Sequence, residues 1–198
     1  MKKMASFKMT LNSFLIFFVL GNIIACNDGT NDAADAGGLD AVDTMQTAMA
    51  TITGTFPDSM VSGVAQFSTM AGGKVKMILH LTIPGKANQS VAVHIHEGGE
   101  CGDTAKQAMG HWNPTDAQHG KWGSAGFHSG DIGNISLDAK GYGELNLETD
   151  LWSIGGDSQK NILNRTIIVH GGIDDYTSQP SGNAGTRIGC GVISTSGL

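Results

Sequence analysis

The chain has 198 residues, of which 12 are basic and 18 acidic, giving a net charge of −6. That length suits one domain with some additional chain. There is no repeat of fixed period, and an acidic balance without a basic cluster argues against nucleic acid as a partner.

The N-terminus opens with "MKKMASFKMT", positively charged through Lys2, Lys3 and Lys8, followed by the apolar run "FLIFFVLGNIIA" from Phe14 to Ala25. The run is too short to span a bilayer, which takes about 20 residues, but it suits the core of a secretory signal. Cys26, preceded by "IIA", resembles the bacterial lipobox, in which this cysteine is lipidated and becomes the mature N-terminus. Residues 1–25 are therefore expected to be a lipoprotein signal peptide, and the protein an exported bacterial lipoprotein anchored to a membrane, periplasmic or at the cell surface. Without those three lysines the mature chain carries nine basic and 18 acidic residues, a charge of −9. The stretch "NDGTNDAADAGGLDAVDTMQTAMA" that follows is mostly Ala, Gly and Asp. It cannot bury enough surface to offset its ordering entropy, so residues 26–50 read as a lipidated flexible tether. Residues 51–198 remain for one domain large enough to bury a core.

From Thr51 onward the segments "TITGTF", "GVAQFSTM", "VKMILHLTI", "SVAVHIH", "GNISLD", "GELNLET" and "RTIIVH" are short, often alternating, and rich in β-branched residues. The turn signals "MAGGK", "PGKANQ" and "DAKGYG" separate several of them. No helical period is clear, so the expected class is all-β, an antiparallel sandwich or barrel. Two long tracts, Glu97 to Gly130 and Gly171 to Gly189, are rich in Gly, Pro, Asp and Ser, and loops of that length are usually functional.

In "VAVHIHEGGEC" two histidines are spaced i, i+2, so on a strand His94 and His96 share a face and can converge on one ion. Alone, that spacing is a weak signal. Six of the seven histidines, however, lie between positions 94 and 170: His94, His96, His111, His119, His128 and His170. His111, His119 and His128 fall in the first long tract and Asp131 follows three residues after the last, leaving only His80 outside. Ordering such a loop is costly, and a bound metal can supply the ordering free energy.

The motifs "AVHIHEGGEC", "GHWNP", "QHG", "GFHSGDIGN", "IIVHGGIDDY" and "GNAGTRIGCGVI" resemble, in order and spacing, those of the copper-zinc superoxide dismutases, over about Thr51 to Leu198 and closely from Val91. The resemblance implies an eight-stranded Greek-key β-barrel with two long functional loops, copper and zinc as cofactors, and superoxide as substrate. It implies that His94, His96, His111 and His170 bind copper, and that His111, His119, His128 and Asp131 bind zinc. His111 would bridge the ions and act catalytically as a proton carrier, with Arg187 beside the open copper position to guide the anion. Asp174 would link His94 to His119. Cys101 and Cys190 would form the family's disulfide, which an exported domain favours in any case. Relatives occur as monomers and as dimers, so a homodimer is one assembly the resemblance allows. Val93, "EGGE" and Trp112 depart from the usual pattern without removing a ligand, and the second loop lacks the Glu and Lys cluster that some members use for steering. Two other classes compete with dismutation: a copper- or zinc-handling lipoprotein without turnover, and a surface interaction protein that keeps only the fold.

Overall fold

The computed structural model describes residues 45–195. The signal, Cys26 and the tether as far as residue 44 lie outside the described residues, and no helix among those described is long and apolar enough to cross a membrane.

Among the described residues nine strands account for the fold: β1 (Thr47–Gly54), β2 (Ser62–Thr69), β3 (Val75–Thr82), β4 (Ser90–His96), β5 (Gly133–Ser136), β6 (Tyr142–Thr149), β7 (Thr166–His170), β8 (Arg187–Val192) and the two-residue β9 (Ser194–Thr195). Eight follow the antiparallel order β5-β4-β7-β8-β1-β2-β3-β6, with β9 added on β1. The end strands β5 and β6 also touch, so the sheet is a nearly closed barrel. Around that ring β4, β5 and β6 are successive and β7 returns beside β4, which is a Greek key.

Alternation decides what faces inward. On β3, Val75, Met77, Leu79 and Leu81 are buried while Lys76, Ile78, His80 and Thr82 face outward. These side chains join Ile52, Phe67, Val91, Val93, Ile95, Ile135, Trp152, Ile167 and Val169 in one apolar core. A buried side chain of this size contributes about 1.5–3 kcal/mol relative to leaving it exposed, so the barrel has its own driving force.

Two differences from the sequence reading have physical causes. β1 starts at Thr47, inside the stretch read as tether, because Ala48 and Ala50 are its inward residues and their small side chains give little apolar signal. β8 carries no alternation signal in the sequence because Gly189 and Gly191 occupy it. A Cβ on Gly191 would stand 2.6 Å from Thr51 O, and one on Gly189 would stand 2.7 Å from Val61 Cγ1. Close approach of β8 to β1 and to Val61 therefore requires glycine at the positions where alternation would otherwise show.

β4 is buried along both faces. Val91, Val93 and Ile95 enter the core, which sets Ala92, His94 and His96 on the outside of the barrel. That outer face is the one the long loops cover.

Candidate metal centre

The two imidazoles of β4 meet a third from β7, whose last residue is His170. The first long loop brings a fourth. His111 forms an isolated antiparallel bridge with His96, and Trp112 N donates to Ile95 O at 2.9 Å while Gly130 N donates to Trp112 O at 3.0 Å. The loop is thereby threaded between the end of β4 and the segment that carries His128 and Asp131. Arg165 stacks on Trp112 from the other side, 4.2 Å from the ring centroid.

Two groups of donor atoms result, each lying within 4.8 Å of one another: His94, His96, His111 and His170 in the first, and His111, His119, His128 and Asp131 in the second. All seven residues are buried. His94 Nδ1, His96 Nε2, His111 Nε2, His119 Nδ1, His128 Nδ1 and His170 Nε2 have no hydrogen-bond partner. Buried polar atoms without partners are costly, and here they are gathered in two places. His119 Nδ1 and His128 Nδ1 stand 3.0 and 3.2 Å from Asp131 oxygens without forming hydrogen bonds. Such a gathering of orphaned lone pairs fits metal ions at both places. Four imidazole nitrogens suit oxidised copper, and three nitrogens with a carboxylate oxygen suit zinc.

The opposite nitrogen of each ring is tied down, which fixes its orientation. His94 Nε2 and His119 Nε2 donate to the two oxygens of Asp174, at 2.9 and 2.8 Å. His96 Nδ1 donates to Met109 O at 2.9 Å, His128 Nε2 to Ala117 O at 3.1 Å, and His170 Nδ1 to Gly185 O at 3.2 Å. His111 differs, since its Nδ1 lies 2.8 Å from Asp131 Oδ1 and its Nε2 faces the first group.

Burial and the surrounding imidazoles favour the neutral form of His96, His111 and His170. Burial, reinforced by His111, holds His96 well below the ordinary histidine value. Burial lowers His111 to about 4 against the opposing pull of Asp131, and burial with His94 lowers His170 to about 3. Neutral imidazole is the form that binds metal. For Asp131, burial pushes upward but is outweighed by the hydrogen bond from the His111 side chain, the nearby His128 ring, and the His128 and Gly120 backbone N–H groups, leaving the carboxyl well below its ordinary range.

The first group opens to solvent through a cleft of about 580 Å³ lined by His96, His111, His170, Gln179 and Arg187 among others. Arg187 donates from Nη1 to Ala105 O and from Nη2 to Met109 O, both at 2.6 Å. Those carbonyls belong to the loop held by the Cys101–Cys190 disulfide. Arg187 therefore both lines the mouth and braces the loop.

Three contributors escaped the sequence reading. Asn134 exchanges hydrogen bonds with the backbone of Asp174, at 2.8 Å each way. Gln179 does the same with His119, at 2.8 and 2.9 Å. The Met109 carbonyl receives both His96 and Arg187. The first two are amides with no spacing signature, and the third acts through backbone, which carries no residue signature.

A family model described as copper/zinc superoxide dismutase matches residues 61–193. A copper-zinc superoxide dismutase of Aquifex aeolicus is 40% identical over 110 residues, covering 54% of this chain and 64% of that protein. A second from the same organism is 38% identical, and the match again spans slightly less than two thirds of it, 65%. The Schizosaccharomyces pombe copper-zinc superoxide dismutase is 37% identical over 143 residues, 69% of this chain and 91% of that one. Among solved structures, the crystal structure of the clock protein EA4 superposes with a TM-score of 0.68 at 28% identity, covering 77% of this chain and 96% of that one. Sequence match, barrel topology and the paired donor groups agree: the chain belongs to the copper/zinc superoxide dismutase family.

Proposed function

We propose that this protein dismutes superoxide, converting two superoxide anions and two protons into oxygen and hydrogen peroxide. The observation that carries the reading is the sharing of His111 between two buried donor groups, one of four nitrogens and one of three nitrogens with a carboxylate. His94, His96, His111 and His170 would hold copper, and His111, His119, His128 and Asp131 would hold zinc. Bound copper supplies one-electron oxidation and reduction, and zinc supplies fixed positive charge.

The chain's own residues do the rest. His111 keeps Nδ1 directed to the second group by Asp131, which leaves Nε2 as the atom where a proton can be held and released beside the substrate. Asp174 fixes one ring of each group, so the two sets of ligands are oriented by a single carboxylate. Arg187 presents a permanent positive charge at the cleft, where it attracts an anion that the net negative charge of the chain repels at long range. Screening at physiological salt reduces that long-range repulsion beyond about 8 Å.

The signal-like N-terminus and the disulfide support an exported protein, and Cys26 is proposed to carry the lipid that anchors residues 51–198 through the tether. Superoxide turnover and metal content, measured together on copper- and zinc-loaded protein, test the function. One copper and one zinc in the buried centre of each chain, with turnover, is the expected result. Both metals without turnover would leave a copper-handling protein instead.

A further inference from the structure

His80 is the one histidine outside the buried centre. It projects from the outer face of β3 with 43% of its side chain exposed. In the β3–β6 register His80 is directly opposite Glu144, and Tyr142 lies opposite Thr82, two residues along. All three therefore share the outer face of the barrel. Tyr142 Oη lies 2.7 Å from His80 Nδ1 and donates to Glu144 Oε2 at 3.3 Å, and His80 Nδ1 is 3.7 Å from that same oxygen. Asn146 donates to the other carboxylate oxygen, Oε1, at 2.8 Å, which turns Oε2 toward His80 and Tyr142.

Donors bound to one ion at about 2.0–2.2 Å stand roughly 2.9–3.5 Å apart in tetrahedral or square arrangements. The three separations here, 2.7, 3.3 and 3.7 Å, each lie within about 0.2 Å of that range. A cross-strand hydrogen-bond ladder needs only successive pairs. This cluster is a closed triangle of one nitrogen and two oxygens with its carboxylate oriented from behind. We propose that His80 Nδ1, Tyr142 Oη and Glu144 Oε2 form a surface copper(II) site, separate from the buried centre. A mixed nitrogen and oxygen set of low coordination number leaves positions for water, and among divalent first-row ions such a set favours copper(II). On binding, the phenol proton leaves to solvent and a copper–phenolate bond takes its place, with no change in oxidation state. The site would collect copper at the barrel surface of a protein that needs copper elsewhere.

The experiment uses full-length protein with its buried sites already filled, titrated with copper(II) against a competing chelator and followed by electron paramagnetic resonance and visible absorption. One further equivalent is expected, with a phenolate-to-copper charge-transfer band. His80→Gln should weaken it by at least about ten-fold, as loss of a ligand must cost no less than loss of a residue that orients one. Tyr142→Phe should abolish the band, and Glu144→Gln should weaken uptake with the phenolate signature kept. Superoxide turnover and the buried copper signal should be unchanged in all three, which also reports that the fold persists. Absence of a further equivalent would overturn the proposal, as would one whose affinity and spectrum are the same in wild type, His80→Gln and Tyr142→Phe.

Discussion

Among the described residues only His111 belongs to both donor groups, so its replacement should have an effect that no other ligand shares. In His111→Ala the copper spectrum should cease to respond when zinc is added, whereas in wild type it should shift. An unchanged wild-type spectrum on adding zinc would count against the bridge. Arg187 has two duties that substitution can separate. Arg187→Ile should lower turnover by roughly ten-fold or more through lost steering while both metals remain bound. Arg187→Lys keeps the charge but cannot reproduce the fork of bonds to Ala105 O and Met109 O. Its turnover should be intermediate and its dependence on salt should stay close to wild type. Full activity in Arg187→Ile with both metals in place would remove the guidance role. At Asp174 the decisive feature is symmetry, since both oxygens accept from ring nitrogens. In Asp174→Asn one position becomes a donor and must face a ring N–H, so zinc or copper affinity, measured by competition with a chelator, should fall by about 10–100-fold.

The loop from Cys101 to Met109 ties three things together at the level of elements. Its disulfide joins β8 across a sequence separation of 89 residues, its carbonyls hold Arg187, and its last residue also receives His96. In the chain-entropy model a closed loop of this size stabilises the fold by about 4–5 kcal/mol, and removal of native disulfides typically costs 2–5 kcal/mol. The Cys101→Ser, Cys190→Ser double variant should therefore unfold at lower temperature, and its turnover should fall even where it remains folded and metal-loaded. Turnover equal to wild type would mean that Arg187 needs no help from the loop. How much of these elements could be read from sequence follows from where the signal lay. Strands with β-branched alternation, such as "VKMILHLTI", were legible, and so were the histidine spacing on β4 and the clustering in the first loop. β8 was visible only by family resemblance, since close packing had replaced its side chains with glycine. Asn134, Gln179 and the Met109 carbonyl act through pairings set by tertiary contact, which no local pattern encodes.

For the whole molecule, acid should be destabilising before metals are added. At pH 6 the unfolded chain takes protons on its histidines near pH 6.5, whereas folded His111 and His170 resist protonation until about 4 and 3. The unfolded state then binds more protons, so stability rises with pH across that window and levels off above about 6.5. The depressed Asp131 acts with the same sign lower down, its contribution being lost as pH falls below the ordinary carboxylate range. Urea midpoints of metal-free protein should accordingly drop between pH 7 and pH 4.5, and a flat profile would contradict the buried neutral rings. The placement of His94, His96 and His170 on the outside of the barrel has a consequence for assembly. The molecule has two interiors, one of hydrocarbon enclosed by the strands and one of imidazole and carboxylate enclosed between strands and loops. A polypeptide leaving the ribosome carries everything the first interior requires, whereas the second is finished by whatever ions its compartment provides. Rigidity of the loop layer should therefore follow local metal supply, while the hydrocarbon core of the barrel contains none of the ligand residues.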